Sequence, residues 1–131
     1  MRVLVTGATG LLGSHVVEAL LAVGHEVRAL VRPTSDVSFI KTTGATIVQG
    51  DLDDPSSLRA AADSCDGVIH TAAVVGEWQP WSEFFRVGVL GTRTLLSAAR
   101  AVAVWSAMRR CGPLSEARPR RGPNWCRGCA P

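Results

Sequence analysis

Three glycines at fixed spacing, Gly7, Gly10 and Gly13, stand in the run Thr6-Gly7-Ala8-Thr9-Gly10-Leu11-Leu12-Gly13 and are the first residues that point to chemistry. Glycine at such positions permits a tight turn, close approach of backbone N–H groups to a pyrophosphate, and close packing of a helix on a strand. An anion held there sits on the positive end of the helix, where unpaired N–H groups face it. No Gly-Lys-Ser/Thr follows, which excludes a phosphate loop of the ATPase kind. Two further groups carry polar chemistry: Gly50-Asp51-Leu52, followed by Asp53 and Asp54, and His70-Thr71-Ala72-Ala73. The acidic run lacks the glycine at loop position six and the distal glutamate of a calcium loop. Asp53 and Asp54 read as a solvated turn and a helix cap, and His70 by itself as a satisfied core histidine. The two alanines after His70 give that segment its interest, because they let a ligand approach a strand end.

The elements that must position these residues alternate. Arg2 to Thr6 is a short β-branched apolar run that stops at glycine, a buried strand. From Leu11 to Val23 apolar residues recur at i, i+4, and Gly24 closes the segment as a helix would be closed. Glu26 to Val31 gives a second strand, and Ser35 is the expected N-cap of a short helix ending at Gly44. Ala45 to Gln49 gives a third strand, after which Asp54 and Pro55 are placed as N-cap and first residue of a helix through about Ser64. Gly67 to Thr71 gives a fourth strand, and Ser82 is the expected cap of a helix from Glu83 to about Arg100, which Ala101 to Met108 could extend by two turns.

Strands and helices in this alternation imply right-handed crossovers and a parallel sheet, an α/β doubly wound, Rossmann-type fold. Ligands of such sheets lie at the carboxyl ends of the strands, beside the point where strand order reverses. The loops after Thr6, Val31, Gln49 and His70 are therefore the ones expected to form a site.

Charge divides the chain. Residues 1–100 carry eight Lys/Arg against ten acidic residues, whereas residues 101–131 carry six arginines against Glu116 alone. The formal charge of +3 and the pI near 9.0 thus come from the last 31 residues, and they do not mark a nucleic-acid partner. Cys126-Arg-Gly-Cys129 has the spacing of half a zinc site or of a redox pair, but no second pair accompanies it. We expect residues 1–100 to form the ordered portion, with a sheet truncated after about four strands. Residues 101–131 are expected to be an irregular, disordered tail or sequence translated out of frame. No apolar run approaches the ~18–20 residues of a membrane span, and Thr6, Ser14, His15 and Glu18 interrupt residues 1–23 as a signal peptide. A cytoplasmic protein without membrane or nucleic-acid partners is the expectation.

In order along residues 1–100, these motifs resemble the extended short-chain dehydrogenases/reductases, which include NAD(P)-dependent epimerases and dehydratases and the dihydroflavonol-reductase-like enzymes. Thr6 to Gly13 fits that family's TGxxGxxG turn, Gly50-Asp51-Leu52 its Gly-Asp-Leu, His70-Thr71-Ala72-Ala73 its His-x-Ala-Ala, and Val87 to Thr92 its Val-Asn-Val-x-Gly-Thr. The resemblance implies a dinucleotide cofactor held by Gly7, Thr9, Gly10, Leu11, Leu12 and Gly13. It also implies that Asp51, with Leu52, receives the adenine amino group, and that Thr71, Ala72 and Ala73 line the ribose and nicotinamide. Trp78 and Trp81, with Glu77, Gln79 and Pro80, are expected to wall the nicotinamide or substrate side, or else to cover the sheet edge. An acidic residue ending the second strand would accept from the ribose 2′-OH of NAD, and an arginine would accommodate the 2′-phosphate of NADP. Arg32 holds that place, with Asp36 four residues on, so NADP is favoured over NAD.

Family enzymes move a proton through a tyrosine whose pKa a nearby lysine lowers, because an unperturbed phenol near pKa ~10 is a poor base at neutral pH. This chain has no tyrosine, its one lysine is Lys41, and Gly88 occupies the family's asparagine position. The expectation is an NAD(P)-binding portion of an epimerase/dehydratase or reductase acting on a small-molecule carbonyl or hydroxyl. The alternative is a non-catalytic dinucleotide-binding fragment or pseudogene product.

Overall fold

The computed structural model describes residues 1–76 and 78–110, with side chains through Val102. Four strands, β1 (Arg2–Thr6), β2 (Glu26–Val31), β3 (Thr46–Gln49) and β4 (Gly67–His70), form one sheet in the order β3-β2-β1-β4. All pairings are parallel; Val5 lies level with Ala29 on one side and Ile69 on the other. Helices α1 (Leu11–Ala22), α2 (Ser38–Thr43) and α3 (Pro55–Ala62) connect them. After β4 the chain enters α4 (Trp81–Phe84), a π-helical segment (Phe85–Gly91), and α5 (Thr92–Arg110) without leaving helical geometry.

Val3, Leu4 and Val5 in the middle of β1 are all apolar because the strand is covered on both faces, as parallel strands are. Val3 and Val5 pack with Val17 of α1 and Ile40 of α2 on one face. Leu4, one residue out of phase, packs on the other with Leu58, Ala61, Leu95 and Ala98. Small residues on α3 and α5 let these two helices lie close over the sheet. Val102 also packs against this second layer, so the helix keeps contact with the core past Arg100.

Local chemistry sets the ends of elements. At the end of α1, Gly24 (φ 80°) donates to the Leu21 carbonyl and His25 to that of Leu20, a closing motif that needs a left-handed residue. Asp54 accepts from Ser56 N (2.9 Å) at the start of α3, with Pro55 in the first turn where it lacks no needed donor. β3 and β4 are each one residue shorter than expected, starting at Thr46 and ending at His70, and four helix boundaries differ by two residues or more. α2 starts at Ser38, whose N–H and hydroxyl both go to Asp36 Oδ1 (2.9 and 2.6 Å), so Asp36 and not Ser35 organises that start. α3 stops at Ala62, because Ser64 takes φ 61°. Pro80 precedes the fourth helix in place of a Ser82 cap, its carbonyl accepting from Glu83 N. Helix α5 continues to Arg110. The tail beyond it, including Cys126 and Cys129, lies outside the described residues, as does Glu77. Among the described residues no helix is long and apolar enough to cross a membrane.

Candidate functional site

β1 and β4 are neighbours, yet the chain leaves β1 toward β2 on the opposite side. Their carboxyl ends therefore splay into a crevice at the point where strand order reverses. A cleft of about 460 Å³ opens there. It is lined by Gly7, Thr9, Gly10, Leu11, Leu12 and Gly13 from the first loop and helix, Arg32 after β2, Asp51 and Leu52 after β3, and Thr71, Ala72 and Ala73 after β4. All twelve residues singled out from the sequence thus share one cavity.

The three glycines do different things. Gly7 has φ 72°, and a Cβ on it would lie 2.5 Å from Ala72 N, so the glycine loop and the β4 exit are in backbone contact. A Cβ on Gly13 would lie 2.0 Å from the Gly7 carbonyl oxygen, which fixes α1 hard against the loop. Gly10 is exposed, and its Cβ would be only moderately tight, 3.3 Å from that oxygen. Gly10 is the N-cap of α1 and supplies no side-chain acceptor. The first intrahelical bond is Ser14 N to Gly10 O, so the N–H groups of Leu11, Leu12 and Gly13 have no carbonyl within the helix to pair with. No acidic side chain occupies this first turn. The result is a positively polarised, glycine-floored cradle that suits an anion.

His70 is held rather than free. Thr92 Oγ1 donates to the Gly88 carbonyl (2.7 Å), leaving it to accept from His70 Nε2 (3.1 Å), while Nδ1 accepts from Thr6 Oγ1 (2.6 Å). This network assigns the proton to Nε2, and burial lowers the pKa of the ring, favouring the neutral form. The histidine therefore ties β1, β4 and the start of α5 together below the cleft. Thr71 Oγ1 donates to the Thr6 carbonyl (2.7 Å), closing the same seam.

At the β2 end, Arg32 is exposed and makes no ion pair among the described residues. Asp36 does not line the cleft. Its carboxylate is bound by the Ser38 hydroxyl and N–H, which hold its pKa below the usual range.

Gly50 and Val87, from the second and fourth motifs, line the cleft as well, and it has further walls outside every motif: Leu30, Val31, Ser35, Asp53, Val75 and Arg86. Asp53 is not a freely solvated turn residue, since it pairs with Arg86, which also pairs with Glu83. Three residues from Glu83, Arg86 reads in sequence as an ordinary surface pair, and nothing local reveals its reach to Asp53. Trp78 and Trp81 are 92% and 78% exposed and line neither the cleft nor the sheet edge.

The family described as the NAD dependent epimerase/dehydratase family matches residues 3–111. "Sterol demethylase protein B" of Methylococcus capsulatus is 44% identical over 108 residues, which cover 79% of this chain and 32% of that protein. A 4-hydroxy-2-methyl-3-oxo-4-farnesyl-3,4-dihydroquinoline-1-oxide ketoreductase of Stigmatella aurantiaca is 40% identical over 100 residues, 76% of this chain and 30% of that one. Among solved structures, a UDP-glucose-4-epimerase from Stenotrophomonas maltophila, with bound NAD and formylated UDP-arabinopyranose, matches with TM-score 0.72 and 30% identity. That match covers 79% of this chain and 34% of the epimerase. The chain spans about a third of the length of the curated relatives it matches.

Proposed function

Since the chain belongs to the NAD dependent epimerase/dehydratase family, we propose that its cleft binds NADP(H), as the cofactor-binding portion of a reductase or epimerase/dehydratase acting on a carbonyl or hydroxyl. The observation that carries this reading is the meeting of the glycine cradle, Arg32, Asp51 and the Thr71–Ala73 segment in one cavity at the switch point.

In this reading Leu11, Leu12 and Gly13 donate their N–H groups to the pyrophosphate, with Gly10 floor to it. Asp51 accepts from the adenine amino group, and Arg32 faces the 2′-phosphate. Thr71, Ala72 and Ala73 leave the β4 exit low enough for the ribose and nicotinamide. The bound nicotinamide supplies hydride exchange with a carbonyl or hydroxyl carbon. The preference for NADP rests on two neighbours: the acidic candidate for a 2′-OH, Asp36, is engaged by Ser38 outside the cleft, and Arg32 is left to meet a phosphate dianion. Charge-assisted arginine–phosphate bonds are among the strong ones.

A second reading concerns turnover. The 131 residues contain no tyrosine, and Lys41, in the last turn of α2, does not line the cleft. In this reading the residues proposed to hold a dinucleotide are present without a phenol–lysine pair to pass a proton, and we propose that this chain alone binds NADPH without oxidising it.

Calorimetric titration of NADP and NAD into wild type and Arg32→Ala tests the assignment. Loss of about tenfold or more in NADP affinity, with NAD changed by less than about threefold, is expected from removing a hydrogen bond to a charged group. Equal loss for both dinucleotides would refute the 2′-phosphate role.

A further inference from the structure

One wall of the cleft is built on the π-helical segment, where Arg86 stands just before the Val87–Thr92 motif and outside it. Arg86 projects from the π-helical segment and pairs through Nη1 with Asp53 Oδ2, while its Nη2 and Nε bond Glu83 Oε2 and Oε1 at 2.6 and 3.4 Å. Both faces of the guanidinium fork are thus occupied by carboxylates, so Arg86 lines the cleft without being a free cation for a ligand phosphate. What it grips is the loop that carries Asp51. Asp53 donates its N–H to Asp51 Oδ1 at 3.1 Å, fixing one oxygen of that carboxylate. From the other side Asp51 N–H donates to Ser57 Oγ at 3.2 Å, and Asp54 N–H to the Asp51 carbonyl at 3.1 Å. The π-helical segment also lies close to the loop at Gly91, where a Cβ would come within 3.0 Å of Leu52 Cβ.

Resting on the reading that this cleft takes a dinucleotide with its adenine over Asp51, we propose that Arg86 is a positioning residue. Through Asp53 it holds the Asp51 carboxylate in the orientation that accepts from the adenine 6-amino group, and so it sets the discrimination for adenine over bases lacking that group. Two features favour this role over a stabilising surface pair. The contact spans 33 residues and joins the two walls of the cleft, whereas an ordinary helix-surface pair joins neighbours on one helix. Its loop partner is also the residue whose backbone orients Asp51. Both side chains are about two-fifths exposed, which leaves their removal compatible with folding.

Hypoxanthine dinucleotides provide the probe, because hypoxanthine presents a carbonyl where adenine presents the amino group. NAD and NADP and their hypoxanthine analogues are titrated calorimetrically into the full 131-residue chain and into Arg86→Met, Asp53→Asn and the double variant. Wild type is expected to prefer the adenine form by about tenfold, one charge-assisted hydrogen bond. In Arg86→Met the adenine form weakens about threefold while the hypoxanthine form is unchanged. Asp53→Asn keeps the N–H to Asp51 but loses the ion pair, so it produces the same narrowing. Adding Arg86→Met to Asp53→Asn then narrows the ratio no further. Equal weakening of both base forms, an unchanged ratio in either single variant, or a full additional effect in the double variant would overturn the proposal while leaving dinucleotide binding intact. A wild type indifferent to the base would overturn it as well. A wild type that binds none of the four dinucleotides would instead overturn the cofactor reading on which it rests. Should Arg86→Met fail to fold, Asp53→Asn alone decides by its ratio.

Discussion

The three glycines of the first loop separate into two kinds when their surroundings are compared. Gly7 and Gly13 are fixed by protein backbone: one takes a left-handed φ against Ala72, and the other leaves no room beside the Gly7 carbonyl. Gly10 faces the cleft and is cramped only mildly by protein. Their spacing marks all three for a cradle, and the fold separates the two that protein backbone requires from the one that faces open space. Gly13→Ala is therefore expected to cost more than about 2 kcal/mol of stability, because backbone must move to relieve the overlap. Gly10→Ala should cost less than about 1 kcal/mol yet weaken NADPH binding by about tenfold, since a methyl group intrudes where the pyrophosphate approaches. Urea unfolding and dinucleotide titration of both variants measure the two losses separately. If Gly10→Ala retained full NADPH affinity, its place at the anion cradle would be refuted.

At the scale of elements, the strands were the most legible part. β1 and β2 run from Arg2 to Thr6 and from Glu26 to Val31, as expected, because the faces of a parallel strand are buried and the apolar runs Val3–Val5 and Ala29–Val31 mark that burial. Helix starts were less legible where a neighbouring side chain could do the same work. Ser35 is the expected cap of α2, but the next residue, Asp36, is the one that the Ser38 N–H and hydroxyl engage. The π-helical segment was not visible, since Phe85 to Gly91 has the same apolar spacing whether its turns are tight or wide. His70 shows what such long-range junctions do, because it bonds Thr6 of β1 and Thr92 at the start of α5. Burial lowers its pKa below the unfolded value of about 6.5, so between the folded and unfolded pKa values the unfolded chain binds more protons and stability rises with pH. The His70 contribution is complete above about pH 6.5 and declines as the pH falls toward the lowered value. Asp36, Asp54 and Glu83, whose pKa values are also lowered, lose their contributions only in the acid carboxylate range. Thermal midpoints measured from pH 7.5 to 5.5 should therefore fall more steeply for wild type than for His70→Gln. Parallel curves would show that His70 is not the titrating junction.

For the molecule as a whole, the site was legible to the extent that its parts were contiguous motifs. Twelve residues from four loops, named from the motifs and the family resemblance those motifs carry, line one cleft, because an α/β sheet brings the ends of its strands together whatever the helices contain. Asp53 and Arg86, 33 residues apart, were not legible as a pair, since charge complementarity across that separation has no periodicity to betray it. The charge of +3 is likewise not a property of the cleft: the residues up to 100 are mildly acidic in sum, and the arginines cluster after them. The central claim is that this acidic α/β layer nonetheless concentrates positive potential at one place, the α1 N-terminus with Arg32, to receive a phosphorylated dinucleotide. Calorimetric titration of NADPH and NADH into the unmodified 131-residue chain tests it most directly. Saturable one-to-one binding is expected, with NADPH tighter than NADH by about tenfold. Absence of NADPH binding by the folded chain, or tighter binding of NADH, would contradict it.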